Sequence, residues 1–274
     1  MILGFLLAAT VAVPPVAQWL GSPPRKVDRI VSLAPSATEI IFALGAGNRV
    51  VGVTRYDNFP AAASKLPRVG GFIDPDPEAI VSLKPDMIVA VRTSGGRKRV
   101  DTLVRMGIPV LVVPAQSLDD MWIAIKALGD AVGAPDAAAK MREELRASIE
   151  DVRTTHANLE QLRALIVIGH RPLVTSGAET YLDRLLHLVA AKNVVSRGGA
   201  YPTLDIESVV ALDPDVIIDV TIPADVNFWN RFQVLRAVKN GRVIQLNEEG
   251  LLRPGPRLPT ALEVLAKALR PEAP

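Results

Sequence analysis

The sequence predicts an α/β protein of two similar lobes with mostly parallel sheets, joined by one long connector helix, with a ligand cleft between the lobes. Two observations carry this fold class. First, a stretch of 12 residues occurs twice: residues 78–89 read EAIVSLKPDMIV and residues 207–218 read ESVVALDPDVII. Six positions are identical and the offset is 129 residues. Solenoid units are only ~20–50 residues long, so this period points instead to two related globular lobes sharing one helix-then-strand unit. Second, a helical pattern free of Gly and Pro lies at the midpoint, between the two copies. Interfaces between such lobes are favoured places for small-molecule sites.

We divide the chain into a leader (1–27), an N-terminal lobe (28–135), a connector (136–162) and a C-terminal lobe (163–274). Each lobe falls within the ~100–200 residues of an ordinary domain and is expected to hold its own core. Residues 1–13, MILGFLLAATVAV, carry no charge and are followed by Pro14-Pro15. The run is too short for a spanning helix, which needs ~20 residues, but matches the apolar part of a secretory signal peptide. No Lys or Arg precedes it, and small residues allow cleavage after either Ala12 or Ala17. The competing reading is a loose apolar arm on a cytosolic chain. We expect export, to a periplasm. With no cysteine in the chain, disulfides, thiolate metal sites and a lipid-bearing cysteine are not expected.

In the first lobe Arg29–Leu33 reads as a buried strand, and Ser36 with Glu39 three residues on reads as a capping box. The helix stops at Gly45, and Val50–Val53 is the next strand. Asp76-Pro77 opens the first repeated helix, Met87–Ala90 is its strand, and residues 97–106 form a helix before strand Val110–Val113. Leu118–Val132 is amphipathic. The strands are almost wholly apolar, as parallel sheets covered on both faces require. Residues 136–162 read as one helix, spanning roughly 40 Å at ~1.5 Å per residue. Its composition also fits a surface helix of one domain; its midpoint position favours a connector. In the second lobe Ala164–Ile168 is a strand, a loop holds His170 to Gly177, and a helix covers 179–190. Asp205 caps the second repeated helix, Val216–Val220 and Arg242–Leu246 are strands, and Arg257–Leu269 closes the chain. In parallel sheets ligands sit beyond the carboxyl ends of the strands.

Composition excludes several functions. The 31 basic and 29 acidic residues leave a net charge of +2, and no basic face with interleaved aromatics suits nucleic acid. No GxSxG, GxxxxGK[ST] or HExxH motif is present. Of the three histidines, His156 and His187 lie on helices as surface or packing residues. His170 follows a strand, where an imidazole either meets a ligand, even its metal, or bonds to backbone. Aromatics make up only 4% of the chain, so their placement is informative. Tyr56, Phe72 and Tyr201 fall on strand-end loops and suit the wall of a pocket for a flat or bulky ligand. Phe228, Trp229 and Phe232 suit packing within their own lobe equally well. Glu249 and Arg253 occupy the loop before the last helix. The arginine there either forks to a ligand oxygen or forms a surface pair with Glu249.

RIVSLAPSATEIIFALGAGNRVVGVT, YDNFP, PEAIVSLKPDMIVA and the TSG of VTSGAET resemble, in order and spacing, the helical-backbone (class III) substrate-binding proteins of ABC importers, nearest to the cobalamin-binding branch. The resemblance covers residues ~28–270, at the usual length of two domains. It implies two lobes on one long helix, a small hinge motion, and no catalysis. It also implies a monomer without a resident cofactor or metal site, carrying a metal chelate to a membrane permease dimer. By motif position Tyr56, Phe72, Val91, Val174, Tyr201, Glu249 and Arg253 would contact ligand. The sequence departs from that branch at Phe72 and Tyr201, where tryptophans are common, and at Val91 and Val174, which replace aromatics. Cobalamin or a related corrinoid is the expected ligand, with haem or a ferric siderophore as alternatives. A bilobal chelatase or a sensor domain are the competing classes; a chelatase needs converging metal ligands, and His170 stands alone. The resemblance makes Glu78 and Glu207, at one position of the repeat, docking contacts for arginines of a two-fold permease. A carboxylate in a first helical turn is also favoured by the helix dipole alone.

Overall fold

The computed structural model describes residues 16–92, 97–225 and 227–271; the apolar run at 1–13 lies outside them. The first sheet is built from β1 (Gln18–Leu20), β2 (Ile30–Ser32), β3 (Val50–Val53), β4 (Met87–Val91) and β5 (Val110–Val113), in the order β1-β5-β4-β2-β3. All pairs are parallel except β1 with β5. Its helices are α1 (Pro35–Ala43), α2 (Pro77–Ser82), α3 (Arg97–Arg105) and α4 (Leu118–Ala131). After α5 (Pro135–His156), the second sheet collects β6 (Leu162–His170), β7 (Leu173–Thr175), β8 (Ala191–Asn193), β9 (Val216–Asp219) and β10 (Val243–Gln245). Its path is β10-β9-β6-β7 with β8 also on β6, parallel throughout except for the β6–β7 hairpin. Helices α6 (Tyr181–Leu188), α7 (Ile206–Leu212), α8 (Arg236–Lys239), α9 (Glu249–Leu252) and α10 (Leu258–Leu269) complete the chain.

The repeat has a physical cause on both lobes. Asp76 accepts hydrogen bonds from the N–H groups of Glu78 and Ala79, and Asp205 from that of Ser208, so both helices have the expected cap. Each unit ends in a non-glycine residue with left-handed backbone, Lys84 (φ 46°) and Asp213 (φ 41°). Asp86 then accepts from the N–H groups of Asp28 and Arg29, and Asp215 from that of Arg163. Arg29 and Arg163 in turn donate to the last helical carbonyls, of Leu83 and Leu212. Leu, Pro-Asp and a preceding-strand arginine thus form one splice, used twice, that locks helix to sheet.

Four sequence expectations need correction. The connector is shorter than expected: α5 stops at His156, with Arg153 and His156 in its last turn complementing the helix dipole, and 157–161 are irregular. The leader boundary is too late, because Gln18–Leu20 already adds an edge strand to the first sheet. Ser36 is not a cap: α1 starts at Pro35, with Ala34 at the capping position and no side-chain bond, since Pro needs no N–H at a first helical position. The lobes also do not have wholly separate cores. Each keeps its own cluster on one face of its sheet, around Ile88 and Leu103 in the first lobe and around Val209 and Ile217 in the second. On the other face one continuous cluster runs from Ile40 and Leu128 through Leu145 and Ile149 of α5 to Leu186 and Leu262. The buried residues of α5, Ala138, Leu145, Ile149 and Val152, form the stripe that fuses the lobes. An interface so apolar opposes free domain motion.

Candidate ligand-binding site between the lobes

The loop after β3 meets the segment after β10, and there the lobes are tied by charge. Glu39 of α1 lies amid Ile40 and Ile41, and its side chain is 1% exposed. It accepts a two-pronged bond from Arg257, Nε to Oε2 at 2.8 Å and Nη2 to Oε1 at 2.7 Å. Arg253 Nη1 is 3.3 Å from the same carboxylate. Bonds from a planar guanidinium to a carboxylate of this geometry are among the strongest a protein makes. Arg257 also lies over the Phe59 ring at 4.4 Å, a cation–π contact. The Glu39 hydrogen bond raises the pKa of Arg257, which therefore stays charged. Tyr181 of α6 brings a buried, unpartnered hydroxyl to the same junction, its pKa pushed upward by burial and then by Glu39.

Arg253 extends the bridge. It donates to Asn58 Oδ1 at 2.8 Å and to the Tyr56 carbonyl at 3.0 Å, and it pairs with Glu249 at 2.9 Å. Asn58 closes the ring by donating to Glu249 Oε1 at 2.8 Å. Glu249 and Arg253 are therefore not on an irregular loop: Glu249 opens α9 and Arg253 caps its end. They sit between the lobes with their polar atoms matched to one another, which fixes their geometry.

Tyr56 and Phe72 stand together beside this bridge, ring centroids 5.9 Å apart, and both are exposed. Their support is rigid. Arg55 grips Asp74 through two bonds, at 3.1 and 2.9 Å, which lowers the Asp74 pKa. The turn carrying Phe72 has no room for a side chain at Gly70, where the backbone is left-handed (φ 95°) and a Cβ would come within 2.5 Å of the Asp74 carbonyl oxygen. Tyr201 is exposed on the second lobe, in a loop bridged at Thr203 to Val174 of β7. Val174 is half-buried there, and Val91 ends β4 packed against the shared core.

His170 lies elsewhere than expected. It ends β6 instead of entering a loop, because the chain turns back at once into β7. Its Nε2 is 2.6 Å from Asp219 Oδ2, a fully buried carboxylate that also accepts from Trp229 Nε1 at 2.8 Å. The imidazole stacks on Phe228 with centroids 3.9 Å apart. Phe228 and Trp229 are buried, so this cluster packs the second lobe. Glu78 and Glu207 are exposed at corresponding places on α2 and α7. Among the described residues no helix is long and apolar enough to cross a membrane, and no three His, Asp or Glu side chains gather as a metal cage.

Sequence reasoning missed Glu39, Asn58 and Arg257. A glutamate inside the apolar run ATEIIFA was the available signal, since a carboxylate flanked by core residues needs a cation from somewhere.

Asp57 gives this region a pH dependence. Burial pushes its carboxyl up from the ordinary 3.8, against the Thr38 and Thr54 hydroxyls and Arg253, which pull it down. The folded state therefore holds its proton more tightly than the unfolded chain. Stability contributed by this group is present below 3.8 and lost as pH rises through the folded value. Asp57→Asn keeps an acceptor for the Thr54 N–H, which lies 2.9 Å away. Its melting temperature should gain on wild type as pH rises from about 4 to 7; a gap that shrinks with pH would contradict this.

Two α/β lobes fused along one helix, with an aromatic wall and an ion-paired bridge where strand ends converge, define a bilobal ligand-binding protein. The chain belongs to the periplasmic binding protein family, whose model matches residues 30–249. It is 30% identical over 250 residues to the vitamin B12-binding protein of Vibrio cholerae, covering 90% of this chain and 91% of that one. An ABC transporter substrate-binding lipoprotein of Bacillus subtilis is 32% identical over 257 residues, covering 90% and 82%. The solved vitamin B12-binding protein of Vibrio cholerae superposes with a TM-score of 0.79 at 30% identity, over 89% of this chain and 97% of that one. The apo periplasmic heme-binding protein of Roseiflexus sp. RS-1 superposes with a TM-score of 0.82 at 26% identity, over 90% and 100%. The family is one of binding proteins, not of enzymes.

Proposed function

We propose that this chain is the periplasmic substrate-binding protein of an ABC importer, taking cobalamin or a close corrinoid into the inter-lobe cleft and handing it to a permease dimer. The observation that carries this reading is the Tyr56–Phe72 wall standing beside the Arg253–Glu249–Asn58 bridge, between lobes that a shared core holds at a fixed spacing. A cobalamin brings its own axial base, so its carrier needs flat apolar walls and amide-matching polar groups but no metal-ligating side chain. His170, tied to Asp219 and stacked on Phe228, fits that requirement and is left out of the ligand contacts. Tyr56, Phe72, Tyr201, Val91 and Val174 supply the apolar surface, and Glu249 with Arg253 the polar one. Relatives described as vitamin B12-binding, covering nine-tenths of the chain, favour a corrinoid. Haem is the second reading, favoured by the closeness of the heme-binding fold. The absorption spectrum of protein purified from its native host separates them. Corrinoid bands support the proposal, and a haem Soret band replaces it with the second reading.

Delivery follows from Glu78 and Glu207. One carboxylate on each lobe suits two arginines on a two-fold permease, steering and orienting the complex. In vesicles carrying the permease, Glu78→Ala/Glu207→Ala should lower uptake more than either single change, with ligand affinity unaltered. Normal uptake by the double variant would leave both residues as helix-dipole partners only.

A further inference from the structure

The two copies of the repeat correspond in more than sequence. Exposure follows the same order through residues 76–89 and 205–218, with only Pro85 and Pro214 falling in different classes. Within that pattern one apolar pair stays partly open to solvent. Val81 and Val210 occupy the same position, three residues after Glu78 and Glu207, and each is 37% exposed. Neither packs into the cluster of its lobe, although their neighbours Ile80 and Val209 do. Valine is a poor residue for an exposed helical position, where Lys, Glu or Ala would favour the helix more. A spacing of three puts each valine on the face of its helix that also shows the glutamate.

Resting on the docking reading above, we infer that Val81 and Val210 are paired apolar anchors of the permease-docking surface, one turn behind each docking glutamate. The partner this fits is a membrane protein dimer with a two-fold axis, presenting next to each arginine a small apolar depression. A two-fold partner offers the same surface to both lobe tips, so only what the tips share can be matched twice. Glu and Val are shared. The next exposed positions carry small side chains, Ser82 and Ala211, and the charged pair beyond them is not shared: Lys84 on one tip corresponds to Asp213 on the other, and Asp213 is already paired with Arg236 at 3.1 Å. No single surface complements both signs, which places Lys84 and Asp213 outside the contact.

The test is binding of the full chain to its permease in nanodiscs, followed by surface plasmon resonance without ligand. Val81→Asp/Val210→Asp should bind at least about tenfold more weakly, the effect of losing buried valine surface at each tip. Val81→Ser/Val210→Ser should weaken it in the same direction. Each valine is partly covered and sits in the last turn of its helix, where a carboxylate opposes the dipole, so the Asp variants should melt somewhat lower while the Ser variants stay close to wild type. The charge exchange Lys84→Asp/Asp213→Lys should bind as wild type does. If both valine variants bind normally while Glu78→Ala/Glu207→Ala does not, the anchors are wrong and the docking reading stands. If the glutamate pair also binds normally, the docking reading falls and takes the anchors with it. A loss on charge exchange equal to that of the valine variants would overturn the two-fold reasoning.

Discussion

Glu39→Ala is expected to produce the largest loss of stability of any single change at the lobe junction, about 3 kcal/mol, because it removes the buried carboxylate that Arg257 grips with two bonds, while Arg253 keeps Glu249. For a chain of this size that is a fall in melting temperature of about 10 °C. The carboxylate is fully covered and receives both Nε and Nη2 of Arg257, with Arg253 beside it. Removing Arg257 alone should cost less, since Arg253 remains to face Glu39. The Glu39→Ala/Arg257→Ala double variant should therefore lose less than the sum of the single losses, which is the signature of a direct pair. A fall under about 2 °C for Glu39→Ala would show that the junction is held by the apolar core alone. Because the two residues belong to different lobes, the same pair limits hinge opening.

The second large effect concerns affinity. Tyr56→Ala and Phe72→Ala should each weaken ligand binding by about 2 kcal/mol, roughly 30-fold, as expected of aromatic anchors in a binding site. Their rings touch each other, so the double variant should fall short of the summed losses. Both side chains are exposed and contribute little to either core, so the melting temperature without ligand should be nearly unchanged. Calorimetric titration alongside thermal melts of the same variants separates the two quantities. Equal affinity with lowered stability would return the pair to a structural role.

The lobes, the connector and both repeated units were legible because each has a local cause. The apolar strand runs and the Asp caps act within a few residues of themselves, whereas the splice that locks helix to sheet, Arg29 to Asp86 and Arg163 to Asp215, joins residues more than fifty apart and required the fold. The bridge was not legible: the apolar flanks of Glu39 signal that it needs a cation, but its partner Arg257 is 218 residues away and nothing local to either residue names the other. The capping-box reading failed for that reason: Pro35 already supplies a helix start that needs no side-chain cap. His170 misled for a related one. Its strand runs two residues beyond the apolar stretch Ala164–Ile168 because β7 pairs back onto it, a tertiary event that hydropathy does not record. The place of the aromatics on exposed loops was readable, whereas the pairing of Tyr56 with Phe72 and the Arg55–Asp74 grip that holds them required the fold.

The most direct test of the central claim is isothermal titration of the purified chain with cobalamin, cobinamide and haem in parallel. Cobalamin should bind one-to-one, weaken in Tyr56→Ala and Phe72→Ala, and at 100 times its dissociation constant stabilise the fold by about 2.7 kcal/mol. Binding of haem alone, or cobalamin binding that ignores both aromatic variants, would contradict a corrinoid carrier built on this cleft.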